Sequence, residues 1–508
     1  MTSLKLRIAA CAVLVLCGLA LSHGKRRGSV QHGSYRNPPA KVQLRQSERD
    51  DLGVDRFNFL DIELLKHTAQ YDGGLGNVVL SPASVKTVLS MLWEGADGNT
   101  AKELGLALRL DRENPQKQLH AYQEQLLCFQ SRAPASAGAR PALLDIANQV
   151  FISNKLSVSP SYGEALRHYN AAVTSVNMTD AYATAGTINK WVSDATHGHV
   201  PSLVEAEALG DEPVMVLGNA VYFQGAWQTA FDETSTVKTC FYTESNECIL
   251  TPMMETMGSF RSKFMQELEA TLIELPYDDD RTSMLILLPE RRDGMQELIR
   301  NLYFADLLHV LGGPDLEESE YLVTIPKFTI EFNTDLVPVL TKLRIEEVFS
   351  QKANLTKMVK DEHVRAAPTV SNVFHKAKIV VEERGTVAAG ATGALVVPLM
   401  GGPQPRFRAE HPFLFFIRDK RTGGFLFAGR VSRPDGSAAP AAAAAAPSGA
   451  SAPPAASGAP TADIPVIENE DAASPLSAVP VTTKRSQQPA HNHAEGPSNV
   501  VFPPNGRQ

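Results

Sequence analysis

The chain has 508 residues, of which 43% are hydrophobic and 20% charged, and its formal net charge at pH 7 is −8. This apolar content is enough for a large buried core. Nucleic-acid-binding proteins usually have a strongly basic composition, whereas this chain has a negative net charge. No nucleic-acid partner is therefore expected.

Residues 1–22 have the pattern of a secretory signal peptide. Lys5 and Arg7 precede an apolar stretch over residues 8–21. That stretch is too short for a comfortable membrane span, and no later stretch approaches 18 uncharged apolar residues. We therefore expect a secreted, extracellular protein without a membrane span.

Both ends of the mature chain have compositions typical of disorder. Residues 23–49 are basic and polar and lack apolar periodicity, which predicts an exposed arm. The triplet at residues 25–27 (KRR) is typical of a solvated tail, with propeptide cleavage and contact with an anionic surface as the alternatives. Residues 435–508 form a tail rich in Ala, Pro and Ser that cannot bury enough surface to fold.

The region between these ends, residues 50–434, combines helix and strand signals. Ser81 and Pro82 provide a cap and a first-turn proline for a helix over residues 83–94. An amphipathic pattern predicts a second helix over residues 187–196. Apolar, β-branched and aromatic runs predict strands over residues 272–276, 283–288, 322–325, 407–417 and 424–431. The fold class is therefore α+β.

A run of small residues precedes the last two predicted strands. Residues 386–397 contain no proline and no charge, and nearly all of them are Ala, Gly, Thr or Val. Such a composition is typical of a flexible linker, yet nothing in it forbids a strand. Because sheet-forming sequences follow it closely, we place this run in an exposed loop of one domain.

Seven short motifs occur in one order along residues 50–434, which are about 385 residues. They are residues 77–84 (NVVLSPAS), 187–192 (TINKWV), 219–227 (NAVYFQGAW), 252–254 (PMM), 275–277 (LPY), 325–328 (IPKF) and 373–377 (VFHKA). Together with residues 382–403 and the C-terminal strands, this set resembles the serpin family. Seven matches in the family's order are highly specific.

The resemblance implies three β-sheets surrounded by about eight or nine helices, with an exposed reactive-centre loop at about residues 383–405. It implies a monomeric suicide inhibitor that forms a covalent complex with an extracellular serine protease. The alternative is a non-inhibitory serpin that acts as a carrier or chaperone. The prolines or bulky inward residues that such a protein usually has in its hinge are absent here.

Catalytic and cofactor motifs are absent from the sequence. There is no nucleophile elbow, no zinc-protease motif, no phosphate-binding loop and no Cys-x-x-Cys. The histidines show no metal-ligand spacing, and residues 114–130 lack the basic pattern of a heparin-type site. We therefore expect no enzyme activity, no metal and no cofactor.

The resemblance also locates the reactive bond, which is the peptide bond that the target protease attacks. The family's usual loop length, counted from Gly385, puts the reactive bond between Leu399 and Met400, to within one or two residues. Leu399 suits a hydrophobic specificity slot, and no basic residue occurs in residues 385–405. Chymotrypsin-like or elastase-like targets are expected, with Val397 as an alternative anchor for an elastase-like enzyme.

The hinge implied by the resemblance consists of Glu383, Gly385, Thr386, Ala388, Gly390 and Thr392. If the loop enters a sheet, alternate side chains from Thr386 to Val396 face the interior, and all of them are small or apolar. A charged residue there would be buried without a partner. Val387 departs from the glutamate common in inhibitory members, but at an outward position.

Further residues are implied to control the opening of the central sheet. Glu383 is expected to pair with Lys327, and Trp227 to pack over the point where the loop enters. The polar cluster expected beneath the central strands is Ser84, Asn219 and His375. Ordinary core packing is the alternative for each of them.

Two kinds of covalent modification are expected for a secreted chain. Cys240 and Cys248 flank a segment of hairpin length, which is compatible with a disulfide. Asn177 and Asn354 each begin an Asn-x-Thr tripeptide, the acceptor pattern for N-glycosylation.

Overall fold

The computed structural model describes residues 56–71, 76–130, 142–210, 213–303, 316–360, 368–383 and 405–436. All of them belong to the first of two units into which the chain divides, Met1–Ala444, and the second unit, Ala445–Gln508, lies outside the described residues. The expected signal peptide, basic arm, most of the tail, and residues 384–404 also lie outside them.

Eight α-helices occur in these described ranges. They are α1 Leu60–Tyr71, α2 Pro82–Gly95, α3 Gly98–Ala107, α4 Pro115–Gln130, α5 Pro160–Leu166, α6 Ala181–Ala195, α7 Met295–Asn301 and α8 Val337–Lys342. Helix α2 begins as predicted, because the Ser81 side chain accepts a hydrogen bond from the Ser84 amide. Helix α6 begins six residues before the predicted helix, because Asp180 caps it through the Ala183 amide.

The described part of the chain contains fourteen strands, which form two hydrogen-bonded networks. They are β1 Val78–Leu80, β2 Leu143–Ser153, β3 Val173–Val176, β4 Met215–Gln224, β5 Val237–Tyr242, β6 Cys248–Met265, β7 Ala270–Pro276, β8 Thr282–Pro289, β9 Glu317–Pro326, β10 Phe328–Asp335, β11 Asn372–Val381, β12 Arg406–Arg408, β13 Phe413–Asp419 and β14 Phe425–Val431. The five-stranded sheet has the order β10-β11-β4-β2-β3. The nine-stranded sheet has the order β1-β14-β13-β8-β7-β6-β9-β12, with β5 also paired to β6.

The fold is α+β, and the long strand β6 joins the described strands of the larger network into one sheet. Its 18 residues pair with β5 at one end, with β9 along the middle and with β7 at the other end. Two of the three expected sheets are therefore continuous through one strand.

The five-stranded sheet has a parallel pair in its centre. Strand β11 pairs with β4 in parallel from Asn372↔Val216 to Ile379↔Phe223, whereas β10–β11 and β2–β4 are antiparallel. Nine of the ten residues of β4 are buried, because apolar clusters pack on both of its faces. We call the junction between β11 and β4 the seam.

The strand predicted over residues 407–417 is wrong in its middle. The structure divides it into β12 and β13, with an irregular stretch between Arg408 and Phe413. Pro412 lacks a backbone N–H, and the Glu410 carbonyl accepts a hydrogen bond from the Tyr242 amide instead of continuing a strand ladder.

A buried ion pair fixes the end of β13 beside the start of β8. Arg281 donates to both carboxylate oxygens of Asp419, at 2.9 Å from Nε and 2.7 Å from Nη2. The two residues are 8% and 2% exposed. Because the charges satisfy each other away from water, loss of one partner leaves the other buried and unpaired.

We predict that Asp419→Asn lowers the free energy of unfolding by about 3–5 kcal/mol, measured by chemical denaturation. The matched control is Asp194→Asn. Asp194 pairs with Lys190 at 2.7 Å, but both side chains are mostly exposed. The control should change stability by no more than about 0.5 kcal/mol. Equal losses in the two variants would contradict the prediction.

Candidate functional site

The seam ends where β11 leads into the predicted reactive-centre loop. Glu382 and Glu383 follow the last residue of β11, Val381, and the predicted loop covers about residues 383–405. The hinge residues after Glu383 and the predicted bond Leu399–Met400 lie outside the described residues. The candidate site therefore consists of the seam and of the side chains that hold it closed.

Glu382 is held from the β4 side of the seam. The Trp227 indole Nε1 donates to the Glu382 carbonyl at 2.8 Å. The Gln224 side chain donates to Glu382 Oε1 at 3.1 Å. Both donors lie at or just after the end of β4, so these two bonds connect the ends of the two central strands.

Trp227 is itself fixed by aromatic packing. Its ring stacks on Tyr277, with centroids 4.4 Å apart and planes inclined by 12°. Phe231 meets it edge-on at 5.8 Å. A Cβ atom at Gly225 would lie 2.6 Å from the Tyr277 ring, so this close approach requires glycine. Trp227 thus lies beside the end of the seam, in contact with the Glu382 carbonyl.

Glu383 is held by three groups. Lys327 Nζ lies 2.7 Å from Oε2, and the Thr236 hydroxyl donates to Oε1 at 3.0 Å. The Phe231 amide donates to the Glu383 carbonyl at 2.9 Å. Glu383 is only 7% exposed, so its carboxylate depends on Lys327 and Thr236 for its solvation.

These contacts make the base of the loop sensitive to pH. Burial alone raises the pKa of Glu383, but the hydrogen bonds from Lys327 and Thr236 outweigh burial, so the pKa is below its ordinary value of 4.5. The hydrogen bond to Glu383 raises the pKa of Lys327 above 10.5. Between pH 4.5 and pH 10.5 the ion pair makes its full contribution to the stability of the folded protein. Its contribution is lost as the pH falls through the lowered pKa or rises through the raised one.

A buried polar cluster crosses the seam further along. His375 and Asn219 are register partners on β11 and β4, and the ring Nδ1 is hydrogen-bonded to the Asn219 side-chain oxygen. Asn219 donates to both Ser84 Oγ and Asn148 Oδ1, and Ser84 donates to Asn148 at 3.1 Å. We call Ser84, Asn148, Asn219 and His375 the polar cluster.

The hydrogen bonds fix the protonation of His375. Its Nε2 accepts from the Ser81 amide at 3.2 Å, so that nitrogen carries no proton. The proton is therefore on Nδ1, which donates to Asn219. Burial lowers the pKa of His375 to about 3, which keeps the ring neutral at physiological pH.

The structure thus brings the six predicted control residues together at the seam. Ser84, Asn219 and His375 form part of the polar cluster, whereas Trp227, Lys327 and Glu383 meet at the loop base. Sequence reasoning missed Asn148, Gln224 and Thr236. Asn148 stands opposite Asn219 in the β2–β4 register, a pairing between distant segments that no local signal identifies.

The expected covalent features lie away from the seam. A disulfide joins Cys240 and Cys248 across the β5–β6 hairpin, with Cα atoms 5.0 Å apart. Asn177 is exposed after β3, and Asn354 is half-buried with its side-chain oxygen 2.8 Å from the Thr356 hydroxyl.

Among the described residues, no three His, Cys, Asp or Glu side chains are grouped so as to hold a metal ion. No helix in the described part of the chain is both long and apolar enough to span a bilayer.

Comparisons with known proteins agree with this architecture. Residues 56–434 match the family model described as "Serpin (serine protease inhibitor)". Serine protease inhibitor 42Dd of Drosophila melanogaster is 34% identical over 70% of this chain and 91% of its own length. Leukocyte elastase inhibitor of Bos taurus is 32% identical over 71% of this chain and 93% of its own. The crystal structure of Manduca sexta serpin-12 superposes with a TM-score of 0.63 at 26% identity, covering 75% of this chain and 99% of that one. This chain belongs to the serpin family.

Proposed function

We propose that this protein is a secreted suicide inhibitor of chymotrypsin-like or elastase-like serine proteases. The protease cleaves the loop, and the loop then inserts into the seam while the enzyme is still attached as an acyl-enzyme. The observation that carries the proposal is the parallel pairing of β11 with β4, beside the point where the loop begins.

The direction of the chain makes insertion geometrically simple. A loop that turns back at the end of β11 runs antiparallel to β11, and therefore antiparallel to β4 as well. Such a strand would replace one parallel ladder by two antiparallel ladders, which are the more stable arrangement per residue. The seam is therefore the position in this sheet where the returning loop fits between two existing strands.

Insertion also lowers the free energy of the inhibitor substantially, because the new strand forms backbone hydrogen bonds on both sides. A strand of about twelve residues would add a net of roughly ten backbone hydrogen bonds, each worth about 0.5–1.5 kcal/mol, so the gain is on the order of ten kcal/mol. Fifteen residues at about 3.3 Å each span about 50 Å. A protease attached to the cleaved end would be carried across the inhibitor and deformed before water releases it.

The serine nucleophile, base and oxyanion hole all come from the protease. The inhibitor supplies the loop that is cleaved and the sheet into which the cleaved loop inserts, so it needs no catalytic groups of its own. The relatives named as protease inhibitors support this division of roles.

Two further observations support secretion and the target class. The pattern of residues 1–22 is that of a signal peptide, and a Cys240–Cys248 disulfide is typical of an oxidising compartment. Leu399 at the predicted bond suits a hydrophobic specificity slot.

The first prediction from the proposed function concerns covalent trapping of the protease. It compares two neighbouring hinge positions that would face opposite sides of an inserted strand. Wild-type protein incubated with chymotrypsin should give a covalent complex that survives SDS electrophoresis. Thr386→Arg should be cleaved without forming the complex, because the charge would have to enter the interior without a partner. Val387→Arg, one residue away, should still form it, because an outward side chain stays in water.

Cleavage of the wild type without any complex would refute the inhibitory function and favour a carrier or chaperone. Equal behaviour of the two arginine variants would refute insertion as an alternating strand.

The second prediction concerns specificity. Leu399→Arg should redirect inhibition from chymotrypsin to trypsin, because a trypsin-like slot carries a buried carboxylate. Association rate constants with both enzymes measure the change. Leu399→Met is the control and should keep the wild-type preference. Unchanged selectivity of the arginine variant would show that the reactive bond is elsewhere.

The third prediction concerns the loop base. Glu383→Lys places two ammonium groups where an ion pair now holds the loop, so we expect faster conversion to inactive latent or polymeric forms. Native gel electrophoresis and residual activity after mild heating measure this conversion. Glu320→Lys makes the same charge change at an exposed position of β9 and should behave as wild type. A Glu383→Lys protein that stays monomeric and active would contradict the assigned role.

A further inference from the structure

The connection between α6 and β4 crosses the outer face of the five-stranded sheet. Residues 196–210 of this connection are here named the crossing segment. Its apolar side chains pack in one cluster with α6, with β2 and β4, and with Phe374 of β11. The buried members from the crossing segment are Val200, Leu203, Val204, Ala206 and Leu209. The crossing segment therefore lies over the seam.

Most of the polar contacts of the crossing segment are on the β4 side of the seam. His197 Nδ1 lies 3.5 Å from Asp145 Oδ2 on β2. The His199 ring stacks on Tyr222 of β4, with centroids 4.0 Å apart and planes nearly parallel. These contacts stay within one group of strands, so they need not change when the seam opens.

Asn189 of α6 binds the crossing segment on that same side. Its side-chain oxygen accepts from the Leu203 and Val204 amides at 2.7 and 3.0 Å. Its amide nitrogen donates to the Val204 carbonyl at 2.8 Å. Helix α6 packs on β2 and β4, so these bonds also remain on one side of the seam.

Leu203 carries a contact that does cross the seam. Its Cδ2 would lie 3.2 Å from a Cβ at Gly218, so the side chain rests directly on β4. Its carbonyl accepts a hydrogen bond from the Asn333 side-chain amide at 3.1 Å. Asn333 is on β10, which lies beyond β11 from β4. One residue thus connects β4 to the far side of the seam.

Strand spacing shows what insertion does to this bond. Asn333 is the register partner of Lys376, which in turn pairs with Ala220 on β4. A strand added at the seam moves β10 and β11 away from β4 by about 4.8 Å. A hydrogen bond of 3.1 Å cannot survive such a displacement while Leu203 stays seated on β4.

We propose that Asn333 is a positioning residue that clamps the crossing segment over the closed seam and slows the entry of a new strand. This role rests on the proposed function, because it sets the rate at which the seam admits the cleaved loop. Breaking the Asn333–Leu203 bond is part of opening the seam, whereas breaking the Asn189 bonds is not.

The test uses strand entry without any protease. A synthetic peptide with the sequence of residues 386–397 (TVAAGATGALVV), labelled with a fluorophore, is incubated with the intact protein. Native gel electrophoresis then gives its rate of incorporation. Asn333→Asp removes the donor and should raise that rate about two- to tenfold, the factor equivalent to a hydrogen bond of about 0.5–1.5 kcal/mol.

Asn189→Asp is the matched control, because it removes an amide donor to the same crossing segment on one side of the seam. It should incorporate the peptide at the wild-type rate. Asn333→Ala should be as fast as Asn333→Asp, which separates loss of the bond from the added charge.

Equal rates for all proteins, or equal acceleration by the Asn189 and Asn333 variants, would overturn the clamp while leaving the proposed function in place. A wild-type protein that takes up no peptide would instead count against opening of the seam, and with it against the proposed function.

Discussion

Strands β11 and β4 run parallel and hydrogen-bond directly to each other over eight residue pairs, in the centre of a sheet where both flanking pairs are antiparallel. The chain that leaves β11 passes through the charged residues 382–384 and then enters a long run of small, uncharged residues. Under the proposed function, this run is the strand that the seam admits after cleavage. The other features of the site act on the stability of this one pairing.

The side-chain contacts of the site are distributed along the seam and differ in chemistry. At the loop base, a half-buried lysine and a buried glutamate form an ion pair beside a stacked tryptophan. Within the sheet, a neutral histidine and three short polar side chains satisfy one another without charge. The first group reaches water only through the Lys327 side chain, and its ion pair responds to salt and surface charge. The second group is dry and depends on geometry, so it separates only when the strands themselves move.

Sequence patterns predicted some of these features and could not predict others. The start of α2 follows from Ser81 and Pro82 because capping is local, and the alternating small residues of the hinge can be counted directly. The grouping of Ser84, Asn219 and His375 came from the family resemblance, since they are far apart in the chain. Asn148 and Asn333 were missed because their roles arise from strand register and from a connection that crosses several strands. The break between β12 and β13 was missed because the aromatic run around Pro412 outweighed the proline in the pattern.

The neutral state of His375 makes the stability of the closed seam depend on pH. Inside the closed sheet the ring takes up a proton only near pH 3, whereas an imidazole in contact with water does so near 6.5. Any rearrangement that wets the ring therefore becomes more favourable with each step of acidification between those limits. Acidification between pH 6.5 and 3 therefore lowers the stability of the closed seam relative to any state in which water reaches the His375 ring.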